Sequence, residues 1–521
     1  MRYNDNFDKM KNSSRVAINT TIVYAQLIIN TIIGLFFTRI ILQALGEEDY
    51  GIYMLVGGVV TMLNILNSSM SNTAMRYMGH SLGAGDLETS LKTFNTTMYI
   101  HFILGGIMIL VLEIGGWIMF EYFLNIPEAK VFSAKIVYQF MIVTTFISII
   151  SVPFDAVINA HENLLFLSAT HVLEYVLKLL LAIFLLYSSG NLLILYGLFN
   201  MIILILMRFI KQIYSVRHYD ECRLKIRNYR DKQLTRSILS FTGWELFASA
   251  AAICQGQLRS VLMNMFFGVK LNAAEGIGSR VNTQVNMVSI GITKAITPQM
   301  NKNEGAGNRE KMLYLAGMGI KYTTFMFALI AIPLMIEAEF ILDVWLDTVP
   351  AYAVIFSQFC LAAQMLDKFT WQIGNAIRAA GRIKEYQITS GILPIVGIVI
   401  SYFVFKAGYG PISIYIVNLI TLSALAIVRL WFGKRLLGLS PVEFIKTTTI
   451  PVLVPLLIAF GLSFAIHHYL VIGWMRLLWV FVSYMIVSSL LFYIFGVNKN
   501  ERGILKNMFK PFLKKISFRK G

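Results

Sequence analysis

Charge is scarce in this chain. Asp, Glu, Lys and Arg make up 14% of its 521 residues, against about a quarter in an ordinary soluble domain. Cysteine is scarce too. Cys222, Cys254 and Cys360 are widely spaced and odd in number, which excludes a disulfide framework and a metal-ligand spacing. They read as small apolar packing residues. The motifs of catalysis are missing. There is no zinc motif and no nucleophile elbow, and Gly83-Ala84-Gly85-Asp86 lacks the GxxxxGK[ST] pattern of a phosphate-binding loop, so ATP hydrolysis is not expected. His101, His161 and His171 are too scattered for a metal site, and His467-His468 reads as interfacial. No convergent acid/base constellation supports an acyl- or glycosyltransferase, and the connection at 215–235 is too short for a catalytic domain. The chain does not read as an enzyme, and no cofactor is expected.

What is abundant is hydrocarbon: 57% hydrophobic residues and a mean hydropathy of +0.66. That composition defines a polytopic membrane protein of the all-α class. Apolar segments of about 20 residues, enough to cross a bilayer, fall near 16–38, 50–74, 95–118, 135–158, 165–187 and 191–214. A second set falls near 237–265, 273–299, 314–336, 351–377, 387–406 and 411–433, and two more near 448–469 and 474–496. The first run is too long for the core of a signal peptide and is read as a retained span. The second and eighth of the fourteen are the least hydrophobic.

The net charge of +17 does not point to nucleic acid, because the basic residues flank the spans. With the N-terminus inside, 32 of the 45 Lys and Arg fall in inside segments and six in outside ones. This asymmetry predicts fourteen spans with both termini cytoplasmic.

One stretch occurs twice. Met78–Leu91, MGHSLGAGDLETSL, is followed 222 residues later by Met300–Leu313, MNKNEGAGNREKML. Gly46 and Gly268 share that offset, and Arg208 and Arg429 are 221 apart. The chain therefore reads as two six-helix lobes, 1–225 and 226–440, then two further helices at 441–497 and a basic tail at 498–521. Six is even, so the copies enter from the same side, as a parallel repeat with its pseudo-two-fold axis along the membrane normal. A polar Gly-Ala-Gly turn cannot lie bare in lipid, and the charge pattern puts both copies on the cytoplasmic side.

Seven cations remain inside spans: Lys178, Arg259, Arg280, Lys294, Lys321, Lys368 and Arg429. Each needs a partner, a snorkelling path or water. Lys178 follows Glu174 at helix-pair spacing; Arg429 and Lys321 lie within snorkelling reach of an inner end. Arg259, Arg280 and Lys294 stand out because their helices are polar along a face. Glu245, Ser249, Gly256 and Arg259 recur at steps of three, four or their sums, as do Arg280, Gln284, Gly291 and Lys294, beside a stripe holding Glu275, Ser279, Asn282 and Asn286. The first half offers Gln26 and Asn30, then Asn64 and Asn67. Polar faces can glue helices together, but small polar residues suit that role better than cations. A net-cationic cavity suits an anionic solute. Arg binds phosphate as a planar fork, and Lys supplies a mobile point charge.

Leu45-Gly46-Glu47-Glu48-Asp49-Tyr50-Gly51, the repeated Gly-Ala-Gly turn and Asn159-Ala160-His161-Glu162, set in a 6+6+2 plan, resemble the Wzx-type flippases of O-antigen and related polysaccharides. These belong to the multidrug/oligosaccharidyl-lipid/polysaccharide (MOP) exporter superfamily. The resemblance implies two six-helix lobes around a cation-lined cavity. It implies flipping of an undecaprenyl-diphosphate-linked oligosaccharide from the cytoplasmic to the outer leaflet, by alternating access. It also implies a bacterial inner (plasma) membrane location, a monomer, a polysaccharide polymerase and chain-length regulator as partners, and an H⁺ or Na⁺ gradient as the drive. On this reading Arg259, Arg280 and Lys294 hold the pyrophosphate, and Gln26, Asn30, Asn282 and Asn286 pass the sugar. Glu245 is the candidate ion-coupling group. The alternatives are a MATE-like ion-coupled exporter of drugs or other organic solutes and a lipid II-type flippase.

Overall fold

The computed structural model describes residues 2–61, 64–122, 126–225, 229, 231–346, 349–498 and 501–502. Residues 503–521, most of the basic tail, lie outside the described residues, as do the side chains of Asn64 and Asn67. The described chain is helical: α1 Arg2–Thr61, α2 Asn64–Ala84, α3 Leu87–Tyr122, α4 Glu128–Ala160, α5 Leu164–Leu186, α6 Leu192–His218, α7 Lys232–Phe267 and α8 Val269–Gly305. Then come α9 Arg309–Ile336, the short α10 Ala338–Trp345, α11 Ala353–Ala380, α12 Lys384–Lys406, α13 Ser413–Leu437, α14 Pro441–Tyr469 and α15 Trp474–Gly496. Among the described residues ten helices are long and apolar enough to cross a membrane. The other four long ones, α1, α2, α8 and α11, include the two least hydrophobic spans. Together they make the fourteen that the sequence predicts, and the chain is an integral membrane protein.

Helix ends follow local chemistry. Asn163 accepts from the Phe166 N–H (3.2 Å) at the start of α5, Asn191 from the Ile194 N–H (3.2 Å) before α6, and Asp231 from those of Gln233 (2.7 Å) and Leu234 (2.9 Å) before α7. Each bond satisfies an N–H left orphaned by the first turn. Gly46 (φ 75°) breaks α1, and Gly268 (φ 81°) separates α7 from α8. The matched glycines thus have matched backbones. Helix continues on both sides of the Gly46 break, so the span read at 50–74 straddles the end of α1 and the first half of α2.

By packing, the chain divides into two compact units. The N-terminal unit comprises Thr21–Leu246 with Asn301–Asn308. Its core includes Met78, Phe94, Met98, Phe154 and Val157, with Cys222 buried beside them. The carboxylate of Asp155 on α4 meets Arg208 (2.6 Å) and Lys211 (3.2 Å) on α6. On α5, Lys178 bonds Glu174 at 2.6 Å, the pair its spacing predicts.

The C-terminal unit comprises the described residues of Met1–Thr20, Phe247–Met300 and Arg309–Gly521. Here Arg429 on α13 bonds Asp367 on α11 at 2.6 Å. The sixth helix of each half thus offers its matched arginine to an aspartate on the fourth. Arg429 is 4% exposed and also donates to Thr370 (3.1 Å), so it does not snorkel. Lys321 does not either. It is buried, 3.2 Å from the Gly496 carbonyl and 3.4 Å from Glu501.

Helices α14 and α15 are tied firmly to α9. Phe325, Ala328 and Ile332 pack against Val452, Leu456, Ala459 and Phe492, with the Phe325 and Phe492 rings stacked 4.1 Å apart. Lys321 clasps one end of this assembly. At the other, the fully buried Glu337 accepts from Arg476 (2.8 Å) and meets His467 at 2.8 Å. Removing one partner of a buried ion pair strands the other, at a cost of about 3–5 kcal/mol. Arg476→Ala is therefore expected to lower unfolding stability by about 3 kcal/mol, read as the thermal midpoint in detergent. An unchanged midpoint would show that Glu337 finds another partner.

Candidate functional site

The repeated turns differ in what each glycine does. Gly85 and Gly307, the second of each pair, both have φ 73°, a left-handed conformation that only glycine adopts without strain. Gly83 and Gly305, the first of each pair, lie where chains touch. A Cβ on Gly83 would stand 2.0 Å from the Lys302 carbonyl oxygen, and one on Gly305 would stand 2.0 Å from that of His80. His80 and Lys302 are themselves repeat mates, as are Gly79 and Asn301, which also meet: a Gly79 Cβ would stand 2.9 Å from the Asn301 Cβ. Residue i touches j while j's mate touches i's mate. That reciprocity is the signature of a local two-fold contact, formed inside the N-terminal unit by the ends of α2 and α8.

After the first turn, Asp86 accepts from the Thr89 hydroxyl (2.5 Å) and the Glu88 N–H (2.9 Å). These bonds hold its carboxyl below the usual carboxylate range. A depressed folded pKa stabilises above the unfolded value and loses that effect as pH falls through the folded one. Amide-exchange protection of the first turn of α3 should therefore decline on acidification below about pH 4. In Asp86→Ala it should be low and independent of pH; a pH-dependent decline in that variant would assign the effect elsewhere.

In the C-terminal unit, Arg259 on α7 donates to Glu275 on α8 (Nε to Oε1, 2.5 Å) and to Ser279 (3.3 Å). Ser260 donates to the other Glu275 oxygen at 3.2 Å, and the guanidinium lies 5.6 Å from the Tyr415 ring centroid. Glu275 is 3% exposed. Arg259 is thus a neutralised, structurally engaged cation.

Arg280 and Lys294 differ. Both are exposed, and neither has an ion-pair partner among the described residues. They share one face of α8 with the exposed Gly276, Thr283, Gln284, Met287 and Ile290, while Ser289 and Thr293 on the other side bond toward α9 and α11. Fourteen residues separate them, about 21 Å along the axis. Each is eleven residues from its nearer helix end, about 16 Å. Between these faces, Asn282 and Asn286 bury their amide oxygens without a hydrogen-bond partner among the described residues.

In the N-terminal unit, Gln26 accepts from Ser168 at 2.8 Å, and the Asn30 amide oxygen is buried without a partner among the described residues. Glu245 is buried, 4% exposed, and packs with this unit. Of the eight residues proposed from the sequence, α8 gathers Arg280, Asn282, Asn286 and Lys294. The Asp155–Arg208–Lys211 cluster was not anticipated. Its only trace in the sequence is the helical i, i+3 spacing of the two bases.

The sequence matches no protein-family model and no curated protein. Its fold does match solved structures. A point mutant of a MATE has a TM-score of 0.71 at 16% identity, over 82% of this chain and 96% of that one. A MATE in the bent conformation has a TM-score of 0.71 at 15% identity, over 84% and 97%. A MOP superfamily transporter from Pyrococcus furiosus, described as having a reversed binding-pocket polarity that suggests a different function, has a TM-score of 0.67 at 15% identity, over 82% and 96%. The chain has the fold of the MATE transporters of the MOP superfamily.

Proposed function

We propose that this protein is a transporter that flips an undecaprenyl-diphosphate-linked oligosaccharide from the cytoplasmic to the outer leaflet of a bacterial inner membrane. The reading is carried by the exposed face of α8. Arg280 and Lys294 present two uncompensated positive charges deep within a long helix. A cation at such depth faces water or a counter-charge, because hydrocarbon disfavours it by several kcal/mol. A diphosphate supplies the counter-charge. Among the described residues, Asn282 and Asn286 keep unfilled acceptors that the hydroxyls of a sugar satisfy, and Asn30 of the N-terminal unit keeps one of its own. Arg259 holds Glu275 and Ser279 on α8. Alternating access is driven by an H⁺ or Na⁺ gradient, with Glu245 as the coupling group. The protein works as a monomer with cytoplasmic termini, beside a polymerase and a chain-length regulator. The test is surface-polysaccharide export by Arg280→Gln and Lys294→Gln variants that remain in the membrane; wild-type export by both would reject the proposal. The fold likeness favours a second reading, a MATE-like ion-coupled exporter of organic solutes. Drug-accumulation assays separate it, because the uncompensated cations on α8 would repel cationic drugs.

A further inference from the structure

A second polar site lies on the flank of the N-terminal unit, at the end of the α3–α4 hairpin. A cavity of about 200 Å³ is lined by Glu113, Trp117, Phe120 and Glu121 of α3 and by Lys135 and Gln139 of α4. Gly116 makes room at its back, where Tyr138 packs so closely that a Cβ on Gly116 would stand 2.1 Å from its ring. The Tyr138 hydroxyl is tied to the Leu112 carbonyl at 2.6 Å, which fixes the wall.

The charges here are mixed and do not cancel one another. Glu113 accepts a hydrogen bond from Gln139 (3.1 Å), and Lys135 lies 5.9 Å from the Phe120 ring centroid. Among the described residues, neither carboxylate forms an ion pair with Lys135 or with any other base. All three charged groups are exposed. They open onto an apolar surface: Leu110, Ile114 and Trp117 on the same helix face are 63%, 61% and 64% exposed. Glu113 lies nine residues before the end of α3, about 13 Å below it. A carboxylate bordering so much exposed apolar surface is met by a counter-charge that a ligand can bring.

We propose that this cavity binds the headgroup of a zwitterionic phospholipid carrying a primary ammonium. Glu113 and Glu121 accept from the ammonium, and Lys135 meets the phosphate. The acyl chains run along Leu110, Ile114 and Trp117. A zwitterion fits because the site itself carries both signs held apart. A primary ammonium fits because two carboxylates accept the hydrogen bonds that a trimethylated one cannot donate. The leaflet follows from the orientation proposed above; the site does not depend on it.

The test uses the full chain in detergent, loaded with phosphatidylethanolamine, phosphatidylcholine or phosphatidylglycerol of identical acyl chains. Lipid retention is read by native mass spectrometry. Phosphatidylethanolamine should be retained about five-fold more than phosphatidylcholine, the scale of a partly exposed ion pair. Glu113→Gln/Glu121→Gln should erase that preference. Glu121→Gln alone, at the exposed mouth and with no ion-pair partner to lose, should weaken it without touching the fold. Equal retention of the two lipids, or a preference unchanged in both variants, would overturn the proposal. Stronger retention of phosphatidylglycerol would also do so, since it would mean that Lys135 alone reads a phosphate. Retention does not depend on export, so this site and the transport reading can fail separately.

Discussion

Gly83→Val and Gly305→Val should each abolish export while leaving the protein in the membrane. Even one added carbon at either position would stand 2.0 Å from a carbonyl oxygen of the facing segment. That atom is backbone, so no rotamer change relieves the clash. Overpacking a well-packed contact costs about 1–3 kcal/mol where side chains can give, and rigid backbone places this case at or above the upper end. If transport proceeds by alternating access, a penalty of about 3 kcal/mol on one of the two states shifts their ratio by about 150-fold. The α2–α8 contact should then be all but lost. His80→Cys/Lys302→Cys cross-linking, fast in the parent, should fall by a similar factor. Gly79→Ala is the graded control, because it would meet only a side-chain carbon, 2.9 Å away. Gly85→Asn is the second control, since Asn tolerates a positive φ. Wild-type cross-linking and export in both valine variants would show that the contact plays no part in the cycle.

The second large effect concerns the cations of α8. A charge-assisted hydrogen bond contributes about 1.5–3 kcal/mol, so losing Arg280 or Lys294 should slow export about ten- to hundred-fold. Arg280→Lys should recover only part, because a point charge cannot reproduce a bidentate fork. Arg259 should behave differently. Its removal leaves Glu275 buried without a counter-charge, and breaking such a pair costs about 3–5 kcal/mol. Arg259→Gln should therefore lower the amount of folded protein, and Arg259→Gln/Glu275→Gln should restore it. Separating folding from export in this way divides the three arginine and lysine candidates into one structural residue and two that meet substrate. Normal export by both the Arg280 and the Lys294 variants would remove the cationic face from the account.

Much of this was legible in the sequence for reasons of short range. Span positions follow from hydropathy, and the Glu174–Lys178 pair from i, i+4 spacing. The local helical period also put Arg280 and Lys294 on one face. What sequence could not convey was anything that depends on which helices meet. Arg429 and Lys321 looked like snorkelling residues because their partners, Asp367, Gly496 and Glu501, are distant in the chain. Arg259 reads in the sequence as a phosphate ligand, because nothing local shows that Glu275, in the polar stripe of the next helix, is its partner. The close approach at Gly83 and Gly305 was also hidden. A glycine required by a neighbour's backbone reads the same as one required by a turn, and the Gly-Ala-Gly motif contains one of each.

The most direct test of the central claim is a flipping assay on the purified chain in proteoliposomes. A fluorescent undecaprenyl-diphosphate oligosaccharide would be placed in both leaflets, and its outward-facing fraction followed with an impermeant quencher. Wild-type protein should move the lipid under an imposed ion gradient, and Arg280→Gln/Lys294→Gln should not. Equal movement by both proteins, or transport of organic cations with no movement of the lipid, would contradict it.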